Sequence, residues 1–345
     1  MKANQIIWPL ALLGLLASCS STPTDSGSSS PTPVVSSSEE DDSSYQMIVD
    51  NTWQEGFSCD PGSGSNPDTG YFPEDRWGSS VDLTYKEDAK PVWIMSQHGD
   101  IYSLNDHYNK YTGDRTVECI DGYYTFYDES KKVAANPSTG SLYLELNASK
   151  EYERPRKNGE QWCHLLLNEG FKKAVATSEI DSCIFSADMT LKKFEDHMDG
   201  QANANVHAAQ FLMYLVVKSN NGAEDSGFFW FGIPFFDNRY ASGLPESGMV
   251  DAGGAGATGK FIYSCPSAEY IDNGILPLGE TVHIEFDITS YLNRGLLLAQ
   301  KSGYFTKSSY SDLVFQSMNI GFELPGTYDI GVEISSFTLT ANYKE

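Results

Sequence analysis

From about residue 51 onward, apolar and polar positions alternate in short runs broken by clusters of Gly, Pro, Asn and Asp, and sustained helical periodicity is scarce. The runs Val81–Tyr85, Pro91–Met95, Tyr123–Tyr127, Ser141–Asn147, Trp162–Asn168, Ile184–Leu191, Gln210–Lys218, Gly227–Phe236, Lys260–Ser264, Val282–Ile288, Ser317–Glu323 and Tyr328–Tyr343 each predict a strand. Strands in such number, with no long helices between them, predict an all-β fold, an antiparallel β-sandwich of the jelly-roll kind. One short helix is expected near 290–302. Thr289 or Ser290 offers its cap, Leu292, Leu296 and Ala299 share one face, and Gly303 offers a stop.

The alternation also assigns faces. In Ser141–Asn147 the leucines 142, 144 and 146 point one way, and Tyr143, Glu145 and Asn147 the other. In Val282–Ile288, Ile284, Phe286 and Ile288 oppose His283, Glu285 and Asp287; in Ser317–Glu323, Met318, Ile320 and Phe322 oppose Asn319, Gly321 and Glu323. His164 and Asn168 are the polar members of one face of Trp162–Asn168. If these strands share a sheet, Tyr143, Glu145, His164, His283 and Asn319 gather on one face, with Trp230 as a ring able to stack on a sugar. That mixture hydrogen-bonds hydroxyl groups. The plainer reading of any one strand is a solvated outer face, which alternates in the same way, and Trp230 has an ordinary role in a core. A two-carboxylate chemistry would fall to Glu285 as general acid and Asp287 as base or nucleophile, two residues apart on one strand face.

The N-terminus has a different character. Lys2 precedes the short apolar run Ile6–Leu16, a secretory signal too short to span a bilayer. Leu16-Ala17-Ser18-Cys19 resembles a bacterial lipobox, which implies cleavage after residue 18 and lipidation of Cys19. Residues 19–50 are mostly Ser, Thr, Pro and acids, including Glu39-Glu40-Asp41-Asp42, and read as a flexible, self-repelling stalk. Residues 51–345 then form a single β-sandwich domain. The expected address is extracytoplasmic, lipid-anchored to a bacterial cell envelope.

Composition narrows the ligand. The chain has 23 basic and 47 acidic residues, a net charge of −24. Residues 1–50 take one base and six acids with them, leaving 22 against 41. Such a field repels phosphate backbones and excludes nucleic acid as a partner. The 44 aromatic residues, among them 20 Tyr and 18 Phe, suffice for a large core. With Cys19 lipidated, five cysteines remain; Cys163 and Cys183 are the disulfide candidates by their proximity in the chain, although spacing alone leaves the pairing open. Cysteine spacing offers no zinc site and the histidines no paired metal spacing; Asp60 and Asp68, in a Gly-rich loop, leave room for a structural calcium but lack EF-hand order. Gly254-Ala255-Gly256-Ala257-Thr258-Gly259-Lys260 has P-loop spacing, but Phe261 stands where a Ser or Thr would bind magnesium and a strand follows, so nucleotide is excluded.

The strand run, together with Glu160-Gln161-Trp162-Cys163-His164-Leu165-Leu166-Leu167, Phe228-Phe229-Trp230-Phe231-Gly232-Ile233-Pro234-Phe235-Phe236-Asp237-Asn238-Arg239 and Asn319-Ile320-Gly321-Phe322-Glu323-Leu324-Pro325-Gly326, resembles the concanavalin A-like lectin/glucanase jelly rolls of bacterial envelopes. The resemblance implies a twisted two-sheet sandwich whose concave face binds glycans, in some members with hydrolase or lyase activity; apart from the structural calcium, no cofactor is expected. Two departures count against catalysis. The three-acid strand of one glucanase branch is incomplete, since Glu285-Phe286-Asp287 is followed by Ile288, Thr289 and Ser290; the Gln-x-His strand of lyases is Asn205-Val206-His207 here. The leading expectation is therefore a polysaccharide-binding envelope lipoprotein. A glycoside hydrolase or polysaccharide lyase using the same cleft, and a structural envelope protein without a glycan ligand, are the alternatives.

Overall fold

The computed structural model describes residues 43–65, 67, 68, 70, 80–107, 117–252 and 257–345. The signal segment, Cys19, most of the stalk, Trp77 and part of the glycine-rich 254–260 segment lie outside them. The strands are β1 (Ser44–Gln46), β2 (Phe57–Cys59), β3 (Val81–Leu83), β4 (Trp93–Ser96), β5 (Glu118–Ile120), β6 (Tyr123–Tyr127), β7 (Lys131–Asn136) and β8 (Ser141–Asn147), followed by the single helical turn α1 (Ala148–Glu151). After it come β9 (Cys163–Ala176), β10 (Ile180–Asp196), β11 (Gln210–Ser219), β12 (Phe228–Asp237), β13 (Ser247–Val250), β14 (Phe261–Ser264), β15 (Thr281–Asp287), helix α2 (Thr289–Lys301), β16 (Leu313–Leu324) and β17 (Tyr328–Tyr343).

Two sheets form the sandwich. Sheet A runs β15-β10-β17-β8-β7-β6-β5, with β1 also pairing β17; sheet B runs β13-β14-β12-β11-β16-β9-β4-β2-β3. Pairing is antiparallel except for β12 with β14 and β2 with β4. The fold is thus the β-sandwich jelly roll that the alternation predicts.

Alternation explains the core. Leu142, Leu144 and Leu146 from sheet A and Phe211, Met213, Leu215, Phe229, Phe231 and Ile233 from sheet B are fully buried between the sheets. Trp53 and Trp93 join them, 5.1 Å apart by ring centroids, with Trp53 stacked at 5.8 Å on Phe337. Burying a large aromatic side chain contributes on the order of 2–3 kcal/mol, so these rings are core, not sugar platforms.

Three expectations are corrected. The stalk does not run to residue 50: β1 pairs the C-terminal strand, Met47 and Ile48 are buried, and the Gln46 side chain accepts from Leu339 N at 3.0 Å. Two apolar residues in a polar stretch were enough to dock it. Cys163 and Cys183 are not bonded to each other; both are free and buried, one in β9 of sheet B and the other in β10 of sheet A. Closeness along the chain was overridden because the two successive strands, joined by a short turn, enter different sheets. Finally, α2 occupies the expected place, but neither Thr289 nor Ser290 caps it through its side chain. Asp287, the last residue of β15, accepts from the Thr289 backbone N–H at 3.0 Å and from its hydroxyl at 2.9 Å.

Candidate functional site

The residues expected to share a face are divided between the two outer faces of the sandwich. Tyr143 and Glu145 lie on β8, and His283 and Glu285 on β15, all in sheet A; His164, Asn319 and Trp230 lie on β9, β16 and β12 in sheet B. One predicted cleft is therefore two separate surfaces. Alternation reports which residues share a face within a strand, while sheet membership depends on pairings across the whole chain.

The sheet A face is internally satisfied. Tyr143 donates to Glu145 at 2.7 Å, Tyr123 to Glu333 at 2.7 Å, and Lys193 Nζ lies 3.2 Å from Glu145 and 2.7 Å from Asn147 Oδ1. These partners, with Lys193, outweigh desolvation and hold the Glu145 carboxyl below its ordinary range. Two strands, β10 and β17, separate β8 from β15. On β15, an edge strand, His283 Nδ1 meets Asp188 at 2.8 Å and Glu285 is exposed. Asp287 also accepts from Cys183 N at 3.1 Å, so its carboxylate anchors the β15–α2 corner. The expected acid and nucleophile thus stand on an open sheet edge, one of them fully engaged.

The sheet B face is different. Cross-strand pairing places Asp237, Gln210, Glu323 and His164 in one row across β12, β11, β16 and β9. A second row holds Gly232, Tyr214, Asn319 and Asn168, and a third Trp230, Val216 and Ser317. Residues directly opposite on one face have Cβ atoms about 4.5–5.5 Å apart, so each row is a contact surface. Gly232 is required: a Cβ there would meet the Tyr214 ring at 2.8 Å, so the tyrosine leans across the bare backbone. Tyr214 and Trp230 have ring centroids 5.7 Å apart, and Phe228 meets Trp230 edge-on at 5.0 Å.

Electrostatics mark the first row. Burial, followed by the charge of Asp251, pushes the Glu323 carboxyl up to about 7, although the residue keeps partial contact with solvent. Desolvation disfavours the charged form, so the carboxyl is raised even though the side chain is only partly covered. His164 behaves alike: burial pushes its imidazole down to about 4. Its Nδ1 lies 3.1 Å from His98 O and 3.0 Å from Trp162 O; carbonyls only accept, so the proton is on Nδ1 and Nε2 presents a lone pair. Burial, then the charges of Glu323, Asp251 and Asp237, holds the Tyr214 hydroxyl neutral well above its usual range. Asp237 receives Gln210 Nε2 at 2.9 Å and pairs with Arg239 at 2.6 Å, holding the end of the row.

Two polar atoms on this side lack partners. Among the described residues, the buried Asn319 Oδ1 and the buried Trp162 Nε1 find no hydrogen-bond partner within the chain. Trp162 packs 5.3 Å from His164 and carries the Arg156 guanidinium 4.7 Å over its ring. An orphaned acceptor and an orphaned N–H on one face call for an explanation. Glu323, Gln210, Tyr214 and Trp162 stood in runs visible in the sequence; only pairing across β11, β16 and β9 brings them together.

No protein-family model matches the chain, and no curated protein does. Solved structures with a similar chain path include endoglucanase Cel12A from Rhodothermus marinus, at 13% identity and TM-score 0.36 over 65% of this chain and 93% of that one. The xyloglucanase domain of NopAA from Sinorhizobium fredii, in complex with cellobiose, is 11% identical with TM-score 0.34 over 65% and 94%. A family 12 xyloglucanase from Bacillus licheniformis is 14% identical with TM-score 0.36 over 64% and 93%.

Proposed function

We propose that the outer face of sheet B binds a polysaccharide, and that the chain is an extracytoplasmic lipoprotein held to the cell envelope through Cys19. The observation that carries the binding reading is the row of Gln210, Glu323 and His164, flanked by unpartnered Asn319 and Trp162 atoms and by the Tyr214 and Trp230 rings. Hydroxyl groups fit this set, as a half-protonated carboxyl both donates and accepts, His164 Nε2 accepts, Trp162 donates, and aromatic faces take sugar C–H surfaces. A net-acidic domain favours an uncharged chain over a polyanion.

Binding is favoured over hydrolysis by one further fact. A glycosidase needs two carboxyl groups, about 5–5.5 Å apart for retention and about 6.5–9.5 Å for inversion. The positions directly opposite Glu323 are Gln210 and His164, so an amide and an imidazole stand where the second carboxylate of a retaining enzyme would serve, and only Asp237, beyond Gln210 in the row, leaves the wider spacing to the runner-up reading. The alternative pair, Glu285 and Asp287, is compromised by the bonds that Asp287 makes to Thr289 and Cys183.

A glycan array with the folded chain tests this directly, followed by titration of Trp230→Ala and Glu145→Ala. Binding should fall at least tenfold for Trp230→Ala and be unchanged for Glu145→Ala on the sheet A face. No binding to any plant, algal or host glycan overturns the proposal, as does the reverse pattern of the two variants. For the address, Cys19→Ala should release the protein from the membrane fraction; unchanged retention sinks the anchor.

A further inference from the structure

A fully buried cluster of ionisable groups lies away from both outer faces. Lys131, at the start of β7, has a fully buried side chain, with Nζ 3.0 Å from Asp128, 3.1 Å from Glu151 and 3.6 Å from Asp100. It also donates to Tyr102 O at 2.9 Å and Ser130 Oγ at 3.0 Å. Asp100, Glu151 and the Cys163 thiol are mutually within 4.8 Å, the outline of a metal site, but the Lys131 ammonium already sits among the carboxylates.

The three acids are held differently. Asp128 is fixed by its own turn, accepting from Ser130 N at 2.8 Å and Lys131 N at 2.6 Å. Glu151, in α1, accepts from Ile101 N, from Tyr102 N at 3.1 Å and from the Ser130 hydroxyl, which fix its carboxylate beside Lys131 Nζ. Asp100 is completely buried beside Cys163, and burial drives its carboxyl well above the usual range, towards the neutral acid. A neutral carboxylic acid is the electrophile of the three, and an ionised carboxylate beside the same nitrogen is a base.

We propose that Lys131 and Asp100 condense within the folded chain to an intramolecular amide, with Glu151 as the base that carries the proton. Glu151 takes one proton from the Nζ ammonium, leaving a neutral amine. The Nζ lone pair attacks Asp100 Cγ, forming the C–N bond. Glu151 passes its proton to the Asp100 hydroxyl, which leaves as water when the C–O bond breaks, and then takes the remaining extra proton from nitrogen. Reactants Lys-NH3+, Asp-COOH and Glu-COO− give the amide, one water and Glu-COOH; no oxidant or co-reactant is consumed. The surrounding carboxylates hold the ammonium proton more tightly than usual, so its transfer is the uphill step. Fixed proximity opposes that barrier, because oriented intramolecular groups reach effective molarities of about 10⁵–10⁸ M. Expulsion of water from a dry site favours the amide further.

The product joins β7 of sheet A to the loop after β4 of sheet B. Among the described residues all five cysteines are free, so no disulfide performs this task there. The full-length chain, purified, denatured and digested with trypsin, should yield a branched peptide joining the Lys131 and Asp100 segments, lighter by one water than their sum. Glu151→Gln, close in shape, should give the separate peptides at full mass. Unbranched peptides from the unsubstituted chain overturn the proposal. A branch from Lys131 to Asp128 or Glu151 overturns the choice of Asp100, and a branch that persists in Glu151→Gln removes Glu151 as the base.

Discussion

Glu169 offers a measurable test of how this fold handles buried acids. It lies inward on β9 and is 2% exposed. One carboxylate oxygen accepts from Val49 N at 2.6 Å, and the other, Oε2, has no partner within the described residues. Burial, the largest influence, pushes its carboxyl from 4.5 up to about 7 against the opposing backbone bonds from Val49 and Asp50. At about 1.4 kcal/mol per tenfold change in proton affinity, this displacement corresponds to about 3 kcal/mol. The sign follows from proton counting. Between 4.5 and about 7 the folded state binds more protons at this site than the unfolded state, so stability falls as pH rises through that window and the loss is complete above it. Glu169→Gln keeps an acceptor for Val49 and removes the charge. Relative to the parent, it should be nearly neutral at pH 4.5 and stabilised by about 3 kcal/mol at pH 8, read from urea unfolding at both values. Other titrating groups, Glu323 among them, are common to both proteins and cancel in the difference. A difference independent of pH, or a variant less stable at pH 8, refutes the reasoning.

Other outcomes follow from the same structure. Ligand affinity should change between pH 6 and 8 as Glu323, raised to about 7, loses its proton, and calorimetry of Glu323→Gln should show that step abolished. Lys131→Met removes both the ammonium and the amide that would form from it, leaves Asp100, Asp128 and Glu151 buried together, and should cost at least about 3–5 kcal/mol in chemical denaturation. Gly99 has φ +77°, and a Cβ there would lie 1.9 Å from Trp162 O. Gly99→Ala should therefore lower the melting temperature and, by displacing Trp162 beside His164, weaken glycan binding on the sheet B face.

The strands and their buried faces were largely legible because alternation is local. Leu142, Leu144 and Leu146 announce their burial within seven residues of sequence. Short or irregular strands were invisible: β13, Ser247–Val250, is a Ser-Gly-Met-Val segment defined by its pairing with β14. The candidate site was legible only by strand. Asn319 and Glu323 were correctly placed on one face of β16, and His164 on the matching face of β9. Tyr143 and His283 show the same alternation but belong to the other sheet, and no local signal separates the two cases. Glu285 and Asp287 looked paired because they are two residues apart; the helix that begins at Thr289 claims the second of them.

The contrast between the two outer faces gives a physical criterion for choosing between them. Both carry tyrosine, histidine, asparagine and acids, so composition does not distinguish them. On sheet A the polar groups close on one another: Tyr143 on Glu145, Tyr123 on Glu333, Lys193 on Glu145 and Asn147, His283 on Asp188. A ligand arriving there must break bonds already made, and its net gain is small. On sheet B the cost of desolvation is already borne by the fold, in the raised Glu323 carboxyl, the depressed His164 imidazole and the unpartnered atoms of Asn319 and Trp162. A hydroxyl placed against those groups recovers free energy that folding gave up there. Poor solvation concentrated on one face, beside aromatic rings, is therefore the physical ground for proposing the sheet B face, where residue type alone does not choose between the two.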